Sequence, residues 1–202
     1  MASTILQPAD GIDTFLHRDT ATTNYGTNTS LFIGNNGGGT NTYRTLIKFA
    51  GLSDGTVPQS SNIISATLSL YCYAEASGNA RTLRVYRSKR VWVEAQATWN
   101  IYSTGNNWAT AGGFGADDCE QTDIGSRDFS ATEATGAYKD WSLTAAAVQE
   151  MVRGTWTNNG LLIKADTENT DRYAFYSSDN ADNKPKLTVV YLTSAGTQVI
   201  IF

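Results

Sequence analysis

Between residues 81 and 90 the chain gathers Arg81, Arg84, Arg87, Lys89 and Arg90, five of its 15 lysines and arginines. A guanidinium presents a planar fork that meets a carboxylate at two points. Arg84 alternates against Leu83 and Val85, so it projects from the outer face of a strand. Arg44 and Lys48 share one face of TYRTLIKF (42–49). If these strands are neighbours, the cations form a basic strip suited to an acidic polysaccharide. The competing uses are a charged sheet edge that blocks aggregation and the rim of a protein interface.

A second set lies in ATWNIYSTGNNWATAGG (97–113), too polar for a core strand and too aromatic for an ordinary loop. Sugars stack their C–H faces on aromatic rings while amides take their hydroxyls, and this stretch holds both groups. Large aromatics also close the open ends of a sandwich. We assign Trp92 and Trp99 to packing, and expect Trp141 and Trp156 in the core. The glycan-contact candidates are then Arg44, Lys48, Arg84, Arg87, Tyr102, Asn107 and Trp108.

Carboxylates form a third set. ADDCEQTD (116–123) offers Asp117, Asp118, Glu120 and Asp123 as calcium ligands, since hard cations take several oxygens from a loop. SDNADN (178–183) adds Asp179 and Asp182. Neither follows the regular calcium-loop pattern, and solvated loops with Asx-turns are the competing reading. Glycoside hydrolysis needs two acids roughly 5–10 Å apart across a cleft, and nothing here marks a cleft. His17 is the only histidine, so it is the sole base open to a catalytic triad, and it lies far from any nucleophile-elbow motif. A histidine-cluster metal site is excluded by the same count. We expect no catalytic residue and no cofactor, calcium being the one ion weighed.

The elements that must position these groups show period two. In IISATLSLYCYA (63–74), Ala66, Leu68, Leu70 and Cys72 fall on one face, with Thr67, Ser69, Tyr71 and Tyr73 on the other. The pattern recurs at 13–18, 30–34, 42–49, 82–87, 160–165, 172–178 and 186–192. Turn clusters such as NNGGGTN and SDNADNKP separate them. SLTAAAVQEMVRG (142–154) breaks the pattern. Leu143, Ala147 and Met151 lie at helical spacing, Ser142 or Thr144 can cap the start, and Gly154 can end it. Residues 100–140 read as a long irregular region. The fold class is therefore all-β, an antiparallel sandwich with one short α-helix.

The chain has 202 residues, suited to one domain. Only 17% are charged, against about 25% in a typical globular protein, and Thr, Ser, Asn and Gly supply the polarity. That balance favours strands and turns over helices. A net charge of −4 argues against a general nucleic-acid binder. No stretch approaches the ~20 apolar residues of a membrane helix, and no signal peptide is visible at MASTILQPADG. Cys72 and Cys119 spell no framework; Cys72 keeps step with Leu68 and Leu70, which points to a buried free thiol. The last residues, Val199, Ile200, Ile201 and Phe202, form an apolar β-prone tail suited to adding a strand or to contact between copies. We divide the chain into a sandwich at 1–193 and this tail at 194–202.

The ordered landmarks TNYGTNTSLFIG, TYRTLIKF, ISATLSLY, VWVEAQATWN, NNWATAGG, the DW…VQEMVRG helix, NNGLLIKA and FYSSDNADNKPKLTVVY resemble the DNRLRE, or disaggregatase-related, domain. The resemblance spans residues 5–192. It implies a jelly-roll-like β-sandwich of extracellular and cell-surface proteins, some members binding acidic polysaccharides such as alginate, with no catalytic machinery. Related modules occur in phage structural proteins. Lacking a visible signal peptide and an attached enzyme domain, the chain is expected at a virion surface or outside the cell. There it would be a non-catalytic decoration or adsorption protein, partnered by other virion proteins or copies of itself. The alternatives are a free carbohydrate-binding module and a polysaccharide-active enzyme.

Overall fold

The computed structural model describes residues 1–7, 12–76 and 79–193. The expected tail contacts Val199, Ile200, Ile201 and Phe202 lie outside them. The strands are β1 (Ala2–Leu6), β2 (Asp13–His17), β3 (Ser30–Asn35), β4 (Thr42–Ile47), β5 (Asn62–Ala76), β6 (Arg81–Arg87), β7 (Ile101–Ser103), β8 (Asn106–Asn107), β9 (Gly125–Phe129), β10 (Ala137–Leu143), β11 (Leu161–Ala165), β12 (Arg172–Tyr176) and β13 (Lys186–Leu192).

Eleven of them join one curled antiparallel sheet in the order β1-β13-β5-β12-β3-β4-β11-β6-β9, with β10 on the free side of β5 and β2 on that of β4. β7 and β8 form a separate two-stranded ladder. The curl gives an all-β, sandwich-like fold whose inner faces share one core. Leu68, Leu70 and Cys72 of β5, Leu83 and Val85 of β6, and Leu161 and Ile163 of β11 all reach it. Trp141 on β10 crosses the interior and donates its Nε1–H to the Leu83 carbonyl at 3.0 Å. Phe129 on β9 meets Tyr173 and Phe175 on β12 with ring centroids 4.6 and 6.2 Å apart. One chain corner requires glycine: Gly34 sits at φ +108°, and a Cβ there would lie 2.1 Å from the Asp171 carbonyl oxygen.

The helix α1 spans Ala145–Arg153, with the second of the two expected caps, Thr144, at its start and the expected Gly154 ending it in the left-handed region. Ser142 and Leu143 belong instead to β10. Thr144 occupies the cap position but makes no side-chain cap bond. Ala147, Val148, Met151 and Val152 are buried, and Gln149 ties the helix to the start of β5 by accepting from Ile63 N–H and donating to the Ser61 carbonyl.

The region expected to be irregular, 100–140, contains β7, β8, β9 and the start of β10. β10 was masked by Lys139, a cation at an inward position beside Trp141 and Leu143; its ammonium pairs with Glu133 at 2.6 Å. β1 also escaped the period-two reading, because only Leu6 in it is buried.

A second core lies on the other side of β4, β11 and β6. Leu16, Leu46, Tyr86 and Leu162 point there, and Trp92, Ala97, Trp99, Trp108 and Cys119 cover them. The segment after β6 thus folds back over the outer face of its own layer. Both cysteines are free and buried, Cys72 in the main core and Cys119 in the second.

Candidate ligand-binding face

The adjacency that a basic strip requires is present. β11 lies between β4 and β6, with Ile163 opposite Thr45 and Lys164 opposite Arg84. Arg44, Lys164 and Arg84, however, each meet a carboxylate. Arg44 forks onto Glu168 through Nε and Nη2, both at 2.8 Å, donates Nη1–H to the Gly112 carbonyl, and lies over Trp99. Lys164 lies 3.9 Å from Glu168. Arg84, the most exposed of the three, pairs with Asp123 at 3.0 Å. Lys48 follows β4 and is half-buried. Arg87 is only 5% exposed, held by Glu120 and Glu150. These pairs neutralise the strip internally.

The same pairs account for the acidic run. Segment 118–125 passes antiparallel beside β6, with Ser88 bridged to Cys119. Asp123 meets Arg84, Glu120 meets Arg87, and Asp118 meets Arg90 at 3.0 Å. Asp118 is fully buried and also accepts the backbone N–H groups of Ala109 and Thr110. Asp117 is exposed. Three of the four calcium candidates therefore face three different guanidiniums and share no centre. The sequence showed both charge runs but not that they are each other's partners.

The aromatic loop turns inward. Trp108 is 5% exposed and donates its indole N–H to the Thr98 carbonyl at 2.9 Å. Trp92 does the same to Asn159 at 2.8 Å, and Trp99 packs under Arg44. Tyr102 is half-buried, 5.4 Å from the Trp108 ring, with Arg90 over its own ring. Asn107 is exposed on β8. Burial removes Trp108 and Arg87 from any ligand surface. His17 has both ring nitrogens engaged, one with Asn41 Oδ1 and one with Thr20 Oγ1, each at 2.8 Å.

An aromatic row that the site reading missed occupies the outer face of the other layer. Tyr73 stacks on Tyr176 at 4.7 Å, and Tyr176 stacks on Tyr71 at 5.5 Å with planes 7° apart. Tyr71 meets Tyr138 edge-on at 5.3 Å. All four rings are partly exposed. Their orientation is fixed because the hydroxyls of Tyr71, Tyr73 and Tyr138 donate to Gly136 O, Ser30 Oγ and Lys184 O. Lys186 Nζ sits 3.7 Å over Tyr138 at one end. Beyond Ser30, Arg172 lies 4.5 Å over Phe32 and 5.5 Å over Tyr43, with its Nε buried and without a hydrogen-bond partner. Among the described residues neither cation is in a salt bridge. The signal was present in the alternation, which already placed Tyr71 and Tyr73 outward. Such a row offers flat aromatic surface, with Lys186 over its Tyr138 end and Arg172 over the separate pair Phe32 and Tyr43.

The sequence profile of the disaggregatase related repeat domain matches residues 13–189. No curated protein matches the chain.

Proposed function

This chain belongs to the disaggregatase-related repeat domain family, and from that premise we propose that it is a non-catalytic module that holds an acidic polysaccharide against its tyrosine face. The observation that supports this most is the row Tyr73, Tyr176, Tyr71 and Tyr138 bounded by Arg172 and Lys186. The rings are pre-oriented, so a sugar chain orders few side chains on arrival. Carboxylates spaced along a uronate chain then meet two cations that aromatic faces already hold. An exterior surface, of a virion or of a cell, is the setting such a face suits.

Titrating the protein with alginate oligosaccharides in a calorimeter tests this. Tyr176→Ala removes the shared stacking partner and is expected to weaken binding about tenfold, since a stacking contact contributes about 0.5–1.5 kcal/mol beyond its buried area. Arg172→Gln weakens binding and flattens its salt dependence. Arg84→Ala leaves binding unchanged, because Asp123 already neutralises it. Absence of binding across alginate, polygalacturonate and sulfated glycans defeats the proposal, and so does release of new reducing ends.

A second reading is self-assembly through the sheet edge. Among the described strands β1 is at the sheet edge with Ile5 61% exposed, and Leu192 on the adjacent β13 and Ile64 on β5 beyond it are also exposed. An apolar edge invites pairing with another copy or another particle protein. Sedimentation velocity is expected to show a multimer that Ile5→Asp dissociates; a monomer for both proteins removes this reading.

A further inference from the structure

Asp13 opens β2 and is 1% exposed. Its Oδ2 accepts the Ser178 N–H at 2.8 Å, while Oδ1 is buried with no hydrogen-bond partner. A buried carboxylate oxygen left so is strongly unfavourable unless something supplies positive charge. Two more carboxylates converge on it. One oxygen from each of Asp13, Glu94 and Asp179 lies within 4.8 Å of the others.

These residues come from three distant parts of the chain, and each is held in place. Glu94 Oε1 accepts the Asp13 backbone N–H at 2.9 Å. The Asn24 side-chain amide donates to the Glu94 carbonyl at 2.6 Å, and Gly26 packs so tightly that a Cβ there would lie 2.8 Å from Glu94 Cγ. Asp179 sits in the β12–β13 turn, its N–H donating to Ser177 Oγ. Neither Asp13 nor Glu94 is in a salt bridge among the described residues. Burial, with the charges of Glu94 and Asp179 adding to it, pushes the Asp13 carboxyl up to about 7. Burial also raises that of Glu94, again with Asp179 adding.

We propose that Asp13, Glu94 and Asp179 hold a calcium ion that pins the start of β2, the loop after β6 and the β12–β13 turn together. The donors are all hard oxygens, which select calcium or magnesium over softer metals. Calcium is favoured because three carboxylates arriving from unrelated loops form an irregular shell. Magnesium demands near-ideal octahedral geometry. Water and nearby carbonyls complete the coordination. Of the acids weighed in the sequence, only Asp179 is used; its two partners lie 166 and 85 positions away.

The test uses the full chain stripped of divalent ions, with calcium chloride or magnesium chloride added and thermal unfolding and calorimetry as readouts. Calcium is expected to bind at one site and to raise Tm by roughly 5–10 °C at saturation, with magnesium much weaker. Asp179→Asn, at an exposed position, should fold normally in chelator and lose the calcium-dependent rise. Asp13→Asn should lose it too while being no less stable than wild type in chelator, because it removes a buried charge. Equal Tm in calcium and chelator with no binding heat overturns the proposal. A calcium-dependent rise that persists in Asp179→Asn also overturns it, as the ion would then sit elsewhere. The readouts involve no polysaccharide, so the result stands or falls separately from the glycan reading.

Discussion

Trp141→Ala is expected to lower stability by about 3–5 kcal/mol, the range for removing a buried Trp or Phe side chain from a core. Trp141 is fully buried between the two layers, with Phe129 at 5.7 Å and Phe175 at 5.9 Å. No solvent-exposed neighbour can collapse into the space, because Phe129, Phe175 and Tyr173 are themselves fully buried. The substitution also removes the hydrogen bond that the indole gives to the Leu83 carbonyl on β6. Trp141→Phe separates the two effects. It keeps most of the ring volume and loses the hydrogen bond, and should cost about 1–3 kcal/mol. Urea unfolding checks both. A fall in midpoint with unchanged slope marks lost native-state stability, whereas a changed slope marks a different denatured or native state. A loss below 1 kcal/mol for Trp141→Ala would contradict the core as described.

The second large effect concerns Arg87. Period two places it with Leu83 and Val85 on the inward face of β6, and there it is the cation at the hub of the charged ladder. It donates Nε–H and Nη2–H to the two oxygens of Glu120 at 2.7 and 3.0 Å, and Nη1–H to Glu150 Oε2 at 2.5 Å. Its guanidinium lies 4.0 Å over Trp156 and also reaches the Ala147 carbonyl in α1. It therefore joins β6, the 118–125 segment and the helix. Arg87→Met keeps the stem and removes the charge, leaving Glu120 partly buried without its partner. We expect a loss of about 3–5 kcal/mol, the usual result of breaking one side of a buried pair. Arg87→Lys recovers only part of this, since an ammonium cannot reproduce the two-point fork. The partners should differ. Glu150 has about half its side chain exposed and Glu120 a quarter. Glu150→Gln is thus expected to cost at most about 1 kcal/mol, the level of an exposed pair, and Glu120→Gln clearly more. A double-mutant cycle on Arg87 and Glu120 measures the coupling directly. Equal effects of the two glutamates would mean that the helix contact, not the fork, governs the site.

Arg87 also shows where the charge reading and the pattern reading parted. Grouped with Arg84 by charge, it belonged to an outer basic strip. Grouped with Leu83 and Val85 by parity, it belonged inside, where the structure places it. Tyr71 and Tyr73 tell the same story in reverse. Their outward parity was plain beside Leu70 and Cys72, yet without knowledge of β10 and β12 they were two exposed rings, not part of a row. Trp99 and Trp92 were legible as packing residues: both are buried in the second core, and the Trp92 indole is bonded to the Asn159 carbonyl. Trp108 was not separable from them, because a loop with no periodicity carries no sign of which way its rings turn.

The sequence by itself determined the all-β class, eight of the strands, the short helix and the faces of the alternating segments. These follow from the pleat and the helical repeat, which act over a few residues and are written locally. Only the tertiary structure decided which outer face stayed open. The segment after β6 could have projected into solvent; instead it folds over Leu16, Leu46, Tyr86 and Leu162 and takes Trp108 with it. Among the described residues that choice leaves the four tyrosine rings partly exposed. The meeting of Asp13, Glu94 and Asp179 likewise depends on how a curled sheet brings loops together, a long-range packing outcome that no local spacing encodes.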